Sequence, residues 1–138
     1  MKPLLEISPL EWAEQIQVHL SDAYHLVQTV WPGRAEQLEL VFFGSASTLH
    51  PWPKNSLYGG LKAGLAYFCQ ALNEELQPQG GRVWLIEPGA VHTSFFERVK
   101  NHLPKEKMIQ PEILASWVLD QLTLPRGMYF PRLTPLSG

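Results

Sequence analysis

Cysteine is nearly absent from the sequence, since Cys69 is the only one among 138 residues. A single thiol excludes an internal disulfide, so covalent cross-linking within the chain does not stabilise this fold. Cys69 lies in a helical pattern near Phe68 and Leu72, where a small apolar side chain packs well. We therefore expect a buried and chemically inert cysteine.

Long apolar runs are also absent. No window approaches the ~18 consecutive apolar residues that a membrane-spanning helix requires. Residues 1–8 lack the apolar core of a signal peptide. We therefore expect no membrane partner and a reducing, cytoplasmic setting.

A block of basic residues is the third feature that the sequence lacks. Eleven basic and thirteen acidic residues give a formal charge of -2, and they are dispersed along the chain. This distribution argues against nucleic acid or an anionic membrane as a partner. The hydrophobic fraction of 45% and the charged fraction of 17% are typical of a globular protein, and we expect residues 1–138 to form a single domain.

The first strong pattern that is present predicts a helix. Ser8 fits an N-cap, Pro9 the first helical position, and Glu11 the residue that completes a capping box. Apolar residues then recur at helical spacing until Pro32. We expect a helix over about 9–30, with a buried face formed by Trp12, Ile16, Leu20, Ala23, Val27 and Val30.

Strands and further helices alternate after this helix. Continuous apolar segments at Leu38–Phe43 and 82–87 predict strands buried on both faces, as in a parallel sheet. Ser56–Leu76 predicts a second long helix, Pro111 opens a third, and 128–133 predicts a short edge strand because it contains a proline. The expected buried positions are Leu57, Leu61, Leu65, Phe68, Leu72 and Leu76 in the second helix, and Ile113, Leu114, Trp117, Val118 and Leu122 in the third.

Three polar residues stand where strand and helix meet. Tyr58 and Lys62 are four residues apart at the start of the second long helix, which places them on one helix face. An ammonium there can lower the pKa of the phenol, which is ordinarily about 10. Ser45 follows the first strand and can hold a substrate oxygen. This set outlines a site for the carbonyl or alcohol group of a small-molecule substrate.

The set resembles a known family. Ser45, the Tyr58-x-x-x-Lys62 pair, the helix LKAGLAYFCQALNEEL and the later PGAVHT together resemble the C-terminal half of a short-chain dehydrogenase/reductase. The similarity covers about residues 7–131. It implies an α/β fold of partial Rossmann-like, three-layer type, which is the C-terminal half of a doubly wound parallel sheet with two long helices.

The resemblance also implies roles for single residues. Tyr58 and Lys62 would serve catalysis and contact the cofactor, which would be NAD or NADP if a complete site is formed. In the family, the segment after Pro88 and Gly89 binds the nicotinamide end, here with the backbone of Val91 and the hydroxyl of Thr93. No metal is implied. Ligands of such sheets bind beyond the carboxyl ends of the strands, so GSAS and PGAVHT should face one crevice.

His19 occupies a position where the family commonly has an asparagine that holds a water molecule beside the lysine. A histidine donates and accepts protons near its ordinary pKa of about 6.5, so His19 can be assigned to catalysis as a proton relay. The alternative is a hydrogen-bonded core histidine without a catalytic role.

Half of the family's usual domain is missing from the sequence. The phosphate-binding turn T-G-x-x-x-G-x-G occurs nowhere in it. In the family's strand order, Leu38–Phe43 would lose a neighbour, and a bare apolar edge invites pairing. Three arrangements would cover this edge: a homo-oligomer, a chain that supplies the missing N-terminal half, or a rearranged N-terminus. In the family the first helix packs against a partner subunit, which favours the homo-oligomer. A truncated form of a longer enzyme is a further interpretation.

Several features allow two interpretations. The chain is either an oxidoreductase that needs completion, or a non-catalytic pseudoenzyme or fragment that serves as an oligomerisation or interaction module. Trp52 and His50 either form a mobile lining of the site or a hydrophobic plug over it. The segment 94–109 is either a substrate loop with a short helical lid, or a solvated connector with Phe95 and Phe96 in the core. The Gly59-Gly60 pair marks close approach of a cofactor or partner, or has drifted neutrally.

Overall fold

The computed structural model describes residues 1–34, 36–97, 103–125 and 132–135. Helices and strands alternate after the first helical segment, as the sequence pattern predicts. The order is α1 (Pro9–Ile16), a π-helical turn (Gln17–Ser21), α2 (Asp22–Val30), β1 (Leu38–Phe43), α3 (Ser56–Leu76), β2 (Gly81–Ile86), α4 (Ser94–Glu97), α5 (Pro111–Leu122) and β3 (Arg132–Leu133). Short 3-10 turns lie at Leu4–Glu6, Ala46–Thr48, Gln77–Gln79 and Lys105–Lys107.

The first long helix begins with the predicted capping box. The Ser8 amide donates to Glu11 Oε2 at 2.9 Å, and the Glu11 amide donates to Ser8 Oγ at 3.2 Å. Hydrogen bonds from the Lys2 ammonium and from the Ser8 amide lower the pKa of the Glu11 carboxyl to about 2. The helix is not regular throughout, because the π-helical turn widens it between α1 and α2. Such turns are frequent at functional sites, and this one contains His19.

The sheet is parallel and ordered β1-β2-β3. Between β1 and β2, Leu38 pairs with Gly81 and Phe43 with Ile86. On its other side, β2 pairs with β3, Leu85 with Arg132 and Ile86 with Leu133. Strand β1 therefore lies at one edge, and no other strand among the described residues pairs with its outer side. The predicted bare edge is confirmed for that part of the chain.

Helices cover both faces of the sheet. On one face, β1 and β2 pack against α2 and α3 through residues that include Val27, Phe42, Leu65 and Leu85. On the other face, Trp84 and Ile86 of β2 pack against Leu114 and Val118 of α5. The alternation of β2 side chains between two apolar clusters explains why its apolar run is continuous. The expected three-layer α/β arrangement is confirmed.

Five expectations about the core and the strands need correction. Trp12 does not belong to the buried face of the first helix, because it is 45% exposed. Strand β1 is not buried on both faces, because Phe43 at the open edge is 50% exposed. Ile113 is not in the core of α5, because it points to solvent and is 64% exposed. Strand β2 ends at Ile86 rather than at Glu87, although Glu87 is also buried. Of the predicted last strand, Arg132–Leu133 forms the edge strand β3, and residues 128–131 lie outside the described residues.

The Gly59-Gly60 pair has one clear structural cause. A Cβ on Gly59 would lie 2.7 Å from the Nδ2 of Asn55, which is buried before the helix, whereas a Cβ on Gly60 would meet open space. A larger residue at position 59 would therefore displace the buried Asn55 side chain, which accounts for Gly59, and nothing in the structure explains Gly60.

Within the described ranges, no helix is long and apolar enough to cross a bilayer. The same residues contain no group of three or more His, Cys, Asp or Glu side chains that could hold a metal ion.

Candidate active site

A cleft of about 630 Å³ lies beyond the carboxyl ends of β1 and β2. The loop after β1 contributes Gly44 to Ser47, and the loop after β2 contributes Pro88 to Val91 and Thr93. The two loops are joined directly, because the Ala46 amide donates to the Pro88 carbonyl at 3.0 Å. The expectation that GSAS and PGAVHT face one crevice is confirmed.

Ser45 is partly buried at the wall of this cleft. It is the N-cap of the 3-10 turn Ala46–Thr48, and its Oγ accepts a hydrogen bond from the Ser47 amide at 3.1 Å. This bond holds the hydroxyl oxygen in one direction at the wall of the cleft.

Tyr58 lines the same cleft from the first turn of α3. Its ring is packed between two other rings: His19 meets it edge to face at 5.6 Å between centroids, and Phe95 is stacked at 6.1 Å. His19 itself does not line the cleft. Burial lowers the pKa of the His19 imidazole from its ordinary value, and the nearby charge of Lys62 lowers it further.

Lys62 lies behind Tyr58 rather than in the cleft. Its Nζ is 5.9 Å from the centre of the Tyr58 ring and donates a hydrogen bond of 2.7 Å to the Phe43 carbonyl. Because the next amide, that of Gly44, donates to Ile86, the Phe43 carbonyl points away from β2 toward the open edge of the sheet. Burial lowers the pKa of the Lys62 ammonium.

The residues expected to contact a cofactor are found along the loop after β2. Pro88, Gly89, Val91 and Thr93 all line the cleft. Val91 forms a parallel bridge with Ile109, which uses the neighbouring Ala90 carbonyl and His92 amide. The amide and carbonyl of Val91 itself are therefore directed to the opposite side. The Gly89 amide forms a hydrogen bond to a distant segment, since it donates to the Pro135 carbonyl at 2.9 Å.

Glu87 was not singled out from the sequence, yet it is the most deeply buried charged residue beside the cleft, with an exposure of 0%. Its carboxylate pairs with Arg132 Nε of β3 and lies 2.7 Å from the Thr48 hydroxyl. Thr48 follows Ser45 in the same turn, and its hydroxyl is also 3.1 Å from the Ser45 carbonyl. The one signal in the sequence was an acidic residue directly before Pro88-Gly89 at the end of a buried strand.

The structure thus divides the predicted site residues into two groups. Those that line the cleft are Ser45, Tyr58, Pro88, Gly89, Val91 and Thr93, and those that lie behind Tyr58 are His19 and Lys62. Trp52 and Phe95 are further lining residues. Trp52 therefore contributes to the wall of the site, and Phe95 is not in the core, because it is 47% exposed.

A family model described as enoyl-(acyl carrier protein) reductase matches residues 1–123. An uncharacterized short-chain type dehydrogenase/reductase of Sinorhizobium fredii is 29% identical over 139 residues, which cover 94% of this chain and 56% of that protein. A 3-oxoacyl-[acyl-carrier-protein] reductase of Buchnera aphidicola is 25% identical over 126 residues, which cover 84% of this chain and 52% of that protein. The chain therefore spans about half the length of these curated relatives.

Solved structures agree in fold. The 3-ketoacyl-(acyl-carrier-protein) reductase from Brucella melitensis, complexed with NADH, aligns with 99% of this chain and 61% of its own length, at a TM-score of 0.86 and 18% identity. At this identity the similarity shows the Rossmann-like fold alone. The match of the family model to most of the sequence shows more than fold: the chain belongs to the short-chain dehydrogenase/reductase family.

Proposed function

We propose that this chain is the substrate-binding and proton-transferring half of an NAD(P)-dependent oxidoreductase that acts on a carbonyl or alcohol group. The observation that carries the proposal is the meeting of Ser45 and Tyr58 in one cleft with the Pro88–Thr93 loop. These residues come from three separate segments of the chain. Their convergence at the carboxyl ends of parallel strands supports a ligand site.

Tyr58 is the general acid when a carbonyl is reduced and the general base when an alcohol is oxidised. Its ring is held by His19 and Phe95, so that the hydroxyl keeps one position in the cleft. Ser45 donates a hydrogen bond to the substrate oxygen and orients the reacting carbon. His19, with its neutral imidazole favoured by burial, is placed to pass protons between solvent and the Tyr58–Lys62 pair.

This chain contains residues suited to only one part of the cofactor, the nicotinamide end. Val91 can offer its amide, and the exposed Thr93 a hydroxyl that donates to the Val91 carbonyl at 3.4 Å in the absence of a ligand. Lys62 can reach a ribose beside Tyr58 once it leaves the Phe43 carbonyl. When bound, a nicotinamide supplies or accepts a hydride. The adenosine and pyrophosphate end has no counterpart in the sequence, which contains no T-G-x-x-x-G-x-G turn.

A completing segment is therefore part of the proposal. Among the described residues, no strand pairs with the outer edge of β1, so this edge can take a strand from a second copy, from a different chain or from further sequence of a longer protein. Such a strand would compete with Lys62 for the outward-pointing Phe43 carbonyl. Pairing would then release the ammonium toward Tyr58, where it lowers the pKa of the phenol.

A native mass spectrum of the chain, with and without NADPH and NADH, tests assembly and cofactor binding together. Reduction of ketones, followed by the loss of NAD(P)H absorbance, then tests the chemistry. Tyr58→Phe should lower kcat/KM by about 10²–10⁴-fold, because it removes the proton donor. Tyr67→Phe is the matched control, since Tyr67 lies on the same helix, is 75% exposed, and should leave the rate unchanged. Bound nucleotide with equal rates for both variants would refute the assigned role of Tyr58.

The second candidate function is a non-catalytic interaction module. The bond from Lys62 to the Phe43 carbonyl favours it, because the ammonium here stabilises the backbone rather than facing the cleft. An oligomer that binds neither nucleotide in the same mass spectrum would support this second function.

A further inference from the structure

The residues that line the cleft are of two kinds. The loops after β1 and β2 contribute small residues. Large apolar side chains from distant parts of the sequence form the second set, here called the apolar wall: Met1, Trp52, Phe95, Phe96 and Leu103. The volume of about 630 Å³ is within the range of sites that take small organic ligands.

The large side chains of this apolar wall remain accessible in the folded chain. Trp52 is 43% exposed, Phe95 47% and Leu103 42%. Single exposed apolar residues are common, but a group of them around one cleft marks a surface that a ligand or partner covers. Because the group borders the Tyr58 ring, a ligand in the cleft is the simplest occupant.

Ring geometry connects the apolar wall to the reacting end of the cleft. Phe95 is stacked on Tyr58 with 30° between the planes, and Phe96 meets Phe95 edge to face at 5.2 Å. A carbonyl that reaches the Tyr58 hydroxyl therefore brings its substituent against aromatic faces and edges. Aromatic rings pack favourably in both of these arrangements.

The charges around the cleft favour an uncharged ligand. Among the described lining residues, none has an acidic or basic side chain other than the Tyr58 phenol. The charged groups next to the cleft are engaged, Lys62 with the Phe43 carbonyl and Glu87 with Arg132. A carboxylate or phosphate carried into the cleft would meet one cation, the α-ammonium of Met1, whose residue is 56% exposed. A solvated ion pair of this kind offsets little of the lost hydration.

We infer that the substrate is an uncharged ketone, or the corresponding alcohol, that carries an aromatic ring or a similarly flat apolar group beside the reacting carbon. This inference rests on the proposed function, because that function places the reacting oxygen at Tyr58 and Ser45. It adds the chemical class of the substituent, which is selected by Trp52, Phe95 and their neighbours.

A binding titration of the full 138-residue chain tests the inference without turnover. The chain is labelled with ¹⁵N, and the Trp52 indole signal is assigned with the Trp52→Phe variant. Acetophenone and para-acetylbenzoate are the probes, since they share one aryl ketone and differ by a carboxylate. We expect acetophenone to shift the Trp52 signal with a Kd at least about tenfold lower than that of para-acetylbenzoate.

Phe95→Ala should raise the Kd of acetophenone by about tenfold, because the stacked ring beside Tyr58 is removed. Tyr67→Ala removes an exposed ring outside the cleft and should leave the Kd unchanged. Absence of a Trp52 shift, equal or tighter binding of para-acetylbenzoate, or equal Kd values for the two alanine variants would overturn the inference. Selective binding of acetophenone without reduction by a nucleotide-loaded assembly would refute the proposed function and leave the inferred ligand class standing.

Discussion

Burial sets the charge states of the residues behind Tyr58. The imidazole of His19 and the ammonium of Lys62 both have a lowered pKa, because each is partly removed from water. The same cause raises the pKa of the Cys69 thiol to about 12, which keeps it protonated and supports its expected inertness. Burial thus shifts the proton equilibrium of each of these groups in the direction of its neutral form.

The lowered pKa of His19 predicts a dependence of stability on pH. Below its ordinary pKa of 6.5, the unfolded chain binds a proton at His19 that the folded chain resists, so stability falls as the pH falls. His19→Asn should reduce this loss between about pH 7.5 and 5.5. Because His19 is only half buried, screening by water keeps the effect below about 1 kcal/mol. Urea unfolding at several pH values measures it.

Direct titration of the His19 ring by NMR provides the control. The midpoint should lie below 6.5 in the folded chain. Lys62→Met should lessen this depression without abolishing it, because burial is the larger cause. Identical pH profiles of stability for the wild type and His19→Asn would contradict the argument.

At the scale of secondary structure elements, Glu87 links three segments beside the cleft. It ends the buried run of β2, pairs with Arg132 of β3, and contacts Thr48 in the turn after β1. Burying a carboxylate is costly unless it is paired and hydrogen-bonded. The two partners of Glu87 offset this cost and hold the loops that carry Ser45 and Pro88 in register.

Removal of Arg132 and removal of the Glu87 charge should cost different amounts of stability. Arg132→Ala should lower the free energy of unfolding by about 3 kcal/mol, because it leaves the Glu87 carboxylate buried without a cation. Glu87→Gln should cost less, because the Arg132 side chain is 38% exposed and can turn toward water. A double-mutant cycle in urea at neutral pH measures both changes and their coupling. Equal and additive losses would show that the pair does not act as described.

At the scale of the whole molecule, the sheet ends abruptly at β1. Its outer edge is unpaired within the described residues, and Phe43 is half exposed there. The outer surface of α2 also exposes large side chains, with Tyr24 at 50% and Leu26 at 46%. Both surfaces suit association with another chain.

We therefore predict that the purified chain is a dimer or larger at micromolar concentration. Light scattering should give a mass above the 15.7 kDa of one chain. Tyr24→Lys should lower that mass if the helices form the interface, and Phe43→Lys if the sheet edge does. A monomeric mass for the unmodified chain would contradict the prediction.

Much of the fold was predictable because it depends on local patterns. The capping box at Ser8 and Glu11 and the full extent of Ser56–Leu76 were read correctly from spacing and end signals. The errors lie where a neighbour decides burial. Ile113 has the spacing of a core residue but faces solvent, and Phe43 ends an apolar run but lies at an open edge.

The sequence by itself determined the α/β alternation, the family and the set of residues around Tyr58, because periodicity and motif spacing are properties of the chain alone. Only the tertiary structure decided which of those residues share the cleft, since this depends on how distant segments meet. It placed Lys62 on the Phe43 carbonyl, His19 and Phe95 against the Tyr58 ring, and Glu87 beside both Arg132 and Thr48. Contacts between residues far apart in sequence leave no local signal, and folding alone brings them together.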